Sequence, residues 1–113
     1  MQVLLLAKER SASEPANPPT PEELAEFNKY NEELMKAGVV LGAGRLAPSA
    51  SGKRVRFEGR KRTVIDGPFG ETKELIGGFW LWQVRSMDEA VEWLKRAPFD
   101  GGTEIEIREV AQS

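Results

Sequence analysis

The stretch LIGGFWLWQVRSMDEAVEWLKRAP, residues 75–98, decides the fold. Its first half is an apolar strand whose side chains alternate, Phe79 and Leu81 to one face and Trp80, Trp82 and Val84 to the other. At Ser86 the period changes. Ser86 stands as an N-cap with Glu89 three residues on, Ala90, Val91 and Leu94 form a helical stripe, and Pro98 ends it. A strand running straight into an amphipathic helix is one half of a βαβ unit, and the start of the chain supplies a second. QVLLLA, residues 2–7, has the length and apolar content of a strand buried on both faces and central in a sheet. In TPEELAEFNKYNEELMKAG, residues 20–38, Thr20 and Glu23 make a capping box and Pro21 suits the first helical position. Leu24, Phe27, Leu34 and Met35 recur at helical spacing before Gly38.

The remaining segments complete the order. KERSASEPANPPTP, residues 8–21, gathers Ser, Asn and four prolines and is expected to form a surface loop. VVLGAGRLA, residues 39–47, is a strand weakened by Gly42 and Gly44, which suggest a bulge or a close backbone approach. KRVRFEGRKRTVID, residues 53–66, alternates, turns at Glu58-Gly59 and returns as a hairpin. GTEIEIREV, residues 102–110, puts Ile105 and Ile107 inward and Glu104, Glu106 and Arg108 outward, a charged face suited to an edge strand. The sequence therefore predicts one α+β domain over residues 1–113, a ferredoxin-like split βαβ arrangement with an inserted β-hairpin.

Composition narrows the chemistry. The 113 residues are 40% hydrophobic and 30% charged, enough for one modest core. With neither cysteine nor histidine, thiolate chemistry, disulfides and the commonest metal ligand and neutral-pH proton shuttle are excluded. No cofactor or metal site is expected, since the carboxylates form neither a calcium loop nor a Glu-x-x-His pattern, and GAGRLA lacks the Lys-Ser/Thr of a phosphate loop. No apolar run reaches the ~20 residues of a membrane helix, and the short apolar start with no basic leader reads as a cytoplasmic chain.

Helices cover only one face of such a sheet, and here both faces are apolar: Leu4 and Leu6 stand opposite Val3 and Leu5, as Phe79 and Leu81 stand opposite Trp80 and Trp82. Two tryptophans on an open face would make an unusual patch for a monomer. A second copy packed face to face would cover it, which predicts a homodimer; the alternative puts Trp80 and Trp82 beneath the hairpin and the long loop.

Candidate chemistry lies in VIDGPFGETKELIGGFW, residues 64–80. Asp66 before Gly67-Pro68 can simply fix a turn through its own downstream backbone. That structural reading is preferred; in the sharper one, Asp66 and Glu71 serve as an acid and a base set apart by burial and by Lys73, with Glu74 nearby. Phe69 and Phe79 are either core or the walls of an apolar pocket whose polar end is Asp66 and Glu71. Gly77-Gly78 admits a close approach or a bulge, and Tyr30 is a boundary residue of its helix before it is a proton donor.

The run TVIDGPFGETKELIGGFWLWQV, the Ser-x-Asp-Glu-Ala helix start and the terminal GTEIEIREV resemble the DGPF-domain proteins of the YCII-related family over nearly the whole chain. The resemblance implies a dimeric α+β barrel of two ferredoxin-like subunits. Its functional content is thin, because the family is largely uncharacterised, some members resembling small enzymes and others being encoded near sigma-factor regulators. YCII-like relatives carry a His-Asp pair proposed as an acid-base dyad. This chain has no histidine, so of that pair only an aspartate can be matched, Asp66 being the candidate.

Six basic residues fall within residues 53–62, the pattern of a phosphate-contacting ribbon or of a solvated hairpin. The solvated hairpin is preferred, since the one interleaved aromatic, Phe57, alternates onto the apolar side and the net charge is −2. No nucleic-acid or membrane partner is expected. Two functions remain: a small enzyme acting on a compact metabolite, with Asp66 as acid-base or orienting group, or a non-enzymatic ligand-sensing or protein-interaction module linked to transcriptional regulation.

Overall fold

The computed structural model describes residues 1–8, 20–70, 76–99 and 102–111. Strands β1 (Gln2–Lys8), β2 (Val40–Arg45), β5 (Ile76–Gln83) and β6 (Ile105–Glu109) form one antiparallel sheet in the order β2-β5-β1-β6; β3 (Lys53–Glu58) and β4 (Lys61–Asp66) form a separate hairpin. Helices α1 (Pro21–Lys36) and α2 (Met87–Lys95) lie against one face of the sheet. This is the mixed α+β arrangement with an inserted hairpin that the sequence predicts, with β1 central and charged β6 at an edge. The expected Ser- and Pro-rich loop falls mostly outside the described residues.

Local signals set the helix ends. At α1 the Thr20 hydroxyl accepts from the Glu23 N–H at 3.1 Å, and the Glu23 carboxylate accepts from the Thr20 N–H at 3.2 Å. Its end uses Gly38 at a φ of 70°, which lets the Val39 N–H return to the Leu34 carbonyl at 3.1 Å. Helix α2 makes only half of the expected box. Ser86 Oγ accepts from the Glu89 N–H at 3.1 Å, but the Glu89 carboxylate pairs with Arg85 at 2.8 Å.

The core is Val3, Leu5, Tyr30, Leu34, Val39, Trp82, Val84 and Ala90. Two expectations are corrected by it. Of the predicted α1 stripe, Leu34 is buried and Phe27 half-buried, whereas Leu24 is 49% and Met35 71% exposed; Tyr30, read as a boundary residue, is buried. Met35 follows Leu34 by 100° of helical rotation and so turns off the buried stripe, while Tyr30 and Leu34, four apart, share it. The tryptophans stand neither on an open face nor under the hairpin. Trp82 is fully buried among core residues of α1 and α2, and Trp80 lies 6.2 Å from the Tyr30 ring and 6.0 Å from Phe99.

The face left open is the other one. Register puts Leu4 opposite Leu81 and Leu6 opposite Phe79 on the two central strands, with Gly42 and Gly44 beside them on β2 and Arg108 and Glu106 on β6. None of these apolar side chains joins the core, and all four are partly or largely exposed. Because both faces of the central strands are apolar, alternation alone could not say which set meets the helices.

Candidate functional site

Asp66 closes β4 and is register partner to Lys53, the first residue of β3. Lys53 Nζ donates to Asp66 Oδ1 at 2.5 Å, with both side chains mostly exposed. Among the described residues, the lysine at Asp66 is Lys53, across the hairpin. The hairpin turns at Gly59-Arg60, one residue beyond the expected Glu58-Gly59, so 58 pairs with 61 and 53 with 66, where the expected turn would have set Lys53 opposite Val64. Glu71, Lys73 and Glu74 lie outside the described residues.

Beyond Asp66 the chain turns through a cis Gly67-Pro68 bond and packs on the short 3-10 turn Ser49–Ser51. The Gly67 N–H donates to the Gly52 carbonyl at 3.0 Å, and the Phe69 N–H reaches Ser49 Oγ at 3.5 Å. Phe69 is half-buried, with the Arg54 guanidinium 4.1 Å from its ring centroid. Phe79 belongs to the open sheet face, its ring against Gly44, and no ring contact joins Phe69 to Phe79 among the described residues. The structure thus brings Asp66 and Phe69 onto one turn and puts Phe79 on the sheet.

Two open surface depressions stand out. One, on the hairpin, is lined by Arg54, Val55, Arg56 and Ile65. The other lies between the helices, where Tyr30 donates its hydroxyl to the Trp93 carbonyl at 2.6 Å and Arg96 pairs with Glu33 at 2.7 Å while covering the Trp93 ring. Burial pushes the Tyr30 hydroxyl up to about 12, with Arg96 lowering and Glu33 raising it. Tyr30 stays a protonated donor at neutral pH and ties α1 to α2. Sequence reasoning missed this clasp, whose partners are 63 residues apart. Among the described residues no three of His, Cys, Asp and Glu gather in a way that could hold a metal ion, and no helix is long and apolar enough to cross a membrane.

On the hairpin, register sets Val55 opposite Val64 and Phe57 opposite Arg62, so these side chains share one face. The Arg62 guanidinium lies 4.6 Å from the Phe57 ring centroid, which corrects the expectation that Phe57 stands apart from the basic groups. Arg62 is also folded back onto its own turn, donating to the carbonyls of Gly59 and Lys61.

A four-stranded antiparallel sheet, two helices over one of its faces and a hairpin set between its strands define a small α+β domain. The chain belongs to the YCII-related family, whose domain model matches residues 1–112. It is similar to an uncharacterized protein of Rhizobium meliloti (strain 1021), 31% identical over 72 residues that span 64% of this chain and 58% of that relative. The match thus covers less than two thirds of the relative's length.

Proposed function

We propose that the protein is a homodimeric binding module in which two copies close their open sheet faces on one another as a dimeric α+β barrel. The observation that carries this reading is the open face itself, Leu4 paired with Leu81 and Leu6 with Phe79 on the face of the central strands that no helix of the described residues covers. Glu106 and Arg108 edge it on β6. An apolar centre with a polar rim is the composition of a homodimer interface, and a rim bearing both signs of charge can complement its own copy across a two-fold axis. A Cβ at Gly42 would meet nothing within 4 Å, so the β2 side of the face has room for a compact, apolar ligand between two sheets. Sedimentation equilibrium at micromolar concentration tests the reading. Twice the 12.6 kDa chain mass is expected for the wild type and the single mass for Leu81→Glu; a monomeric wild type removes it.

The small-enzyme reading keeps one observation of its own, an exposed carboxylate held against Lys53 at the head of a fixed turn. It assigns Asp66 the acid-base or orienting role and Phe69 the apolar wall beside it. A metabolite screen on wild type and Asp66→Asn decides it, since a ligand or turnover that survives unchanged in the variant sinks the role.

A further inference from the structure

The β3–β4 hairpin is the least covered part of the described chain. Every residue of β3 is exposed, and in β4 only Thr63 and Ile65 are partly covered. Among the described residues it pairs with no third strand, and an isolated two-stranded hairpin is marginally stable at best in water. Yet one face carries Val55, Val64 and Phe57 side by side, 48%, 60% and 67% exposed. Clustered apolar side chains on a projecting element mark a contact surface rather than the scatter normal on a monomer.

Charge says what the contact is. Residues 53–66 hold six basic and two acidic side chains, an excess of +4 in a chain of net charge −2, which leaves the rest of the chain at −6. Within the hairpin the acids are already engaged, Asp66 with Lys53 and Glu58 with Arg56, and Arg60, Lys61 and Arg62 have no carboxylate partner among the described residues. Acidic side chains stand elsewhere, with Glu22, Glu26 and Glu32 exposed on α1 and Glu104 and Glu109 exposed along the β6 edge, while Glu23 is held in the capping box and Glu106 by Arg108. A basic arm on an acidic body is complementary to a second copy of itself.

We infer that the hairpin is an embracing arm, which lays its Val55–Phe57–Val64 face on a second copy of this chain and sets its basic groups against that copy's acidic surface. The inference rests on the homodimer proposed above and adds to it a contact that the sheet faces alone do not require. The contact would bury the exposed parts of three Val and Phe side chains in each copy, and since only the surplus over ordering and desolvation shows as affinity, their combined share is roughly hundredfold.

The test compares the full-length wild type with the triple variant Val55→Ser, Phe57→Ser, Val64→Ser and with the charge variant Arg60→Glu, Lys61→Glu, by sedimentation equilibrium at two salt concentrations. These side chains are exposed in the single chain, and circular dichroism checks that the fold is kept. Dimerisation weakened roughly a hundredfold by the triple variant, and weakened by the charge variant most at low salt, is the expected result. A wild-type dimer whose affinity neither variant changes overturns the arm and leaves the sheet-face dimer standing. A monomeric wild type overturns both, and a wild type that binds duplex DNA through the arm in place of its own copy overturns the arm. Hydrogen exchange gives a second readout that needs no substitution. The amides of residues 53–66 gain protection as protein concentration rises through the dimer range, and protection independent of concentration overturns the arm.

Discussion

The backbone carbonyl of Ser49 occupies the space that a Cβ on Gly67 would need. A close approach between two backbone segments, and not the reactivity of its neighbours, therefore dictates glycine at this point of the Asp66-Gly67-Pro68-Phe69 turn. Gly67→Ala must displace the turn at Ser49–Ser51 or its own strand end, and a loss of roughly 1–3 kcal/mol is expected in urea unfolding. Gly42→Ala, whose Cβ meets nothing within 4 Å, is the matched control and leaves stability within about 1 kcal/mol. Equal effects at the two positions would refute the packing account.

The Lys53–Asp66 pair is solvent-exposed on both sides, so its contribution to stability is small. Asp66→Asn and Lys53→Gln are each expected to change unfolding free energy by less than about 1 kcal/mol, and by less still at high salt. Near-neutral stability makes Asp66→Asn a clean probe of function, because lost ligand affinity could not then be blamed on unfolding.

Tyr30 gives the chain an alkaline limit. Its folded value of about 12 lies above the 10.0 of an ordinary tyrosine. The unfolded chain thus releases this proton first as pH rises. The stabilisation is fully present below pH 10 and is lost as pH climbs through 10 toward 12, by up to roughly 3 kcal/mol. The stability difference between wild type and Tyr30→Phe, followed by urea unfolding from pH 8 to 12, should shrink over that window and stay flat below it. A flat difference throughout would refute the link to Tyr30.

Phe79 rests on Gly44, where a Cβ would come within 3.0 Å of the ring. The ring is the free end of an exposed side chain and can swing aside, so Gly44→Ala should cost little in folding while reshaping the open face. Unfolding free energy within about 1 kcal/mol of wild type, with a measurable change in the dimer dissociation constant, is expected. An unchanged constant would place the contact elsewhere.

Leu34 is fully buried between α1 and the sheet. Leu34→Ala should cost roughly 2–5 kcal/mol, whereas Met35→Ala, one residue on and 71% exposed, should stay within about 1 kcal/mol. Thermal denaturation of the pair checks which face of α1 is buried.

The sequence by itself determined the elements, because their signals are local. Capping residues at Thr20 and Ser86, the stop at Gly38, the alternation of Ile105 and Ile107 and the two-residue hairpin turn act within a few residues of where they are read. The Lys53–Asp66 pair was not among them, because the hairpin turns at Gly59-Arg60, one residue beyond the expected Glu58-Gly59, and a one-residue shift changes every cross-strand partner. Tertiary structure decided whatever depends on which surfaces meet. It placed Trp82 under the helices and left Phe79 and Leu81 open, a choice alternation could not make with apolar residues on both faces. It also drew Tyr30 to the Trp93 carbonyl and Gly67 onto Ser49, contacts between segments 63 and 18 residues apart. Such contacts carry no local pattern, since each partner's environment is set by the packing of the rest of the chain.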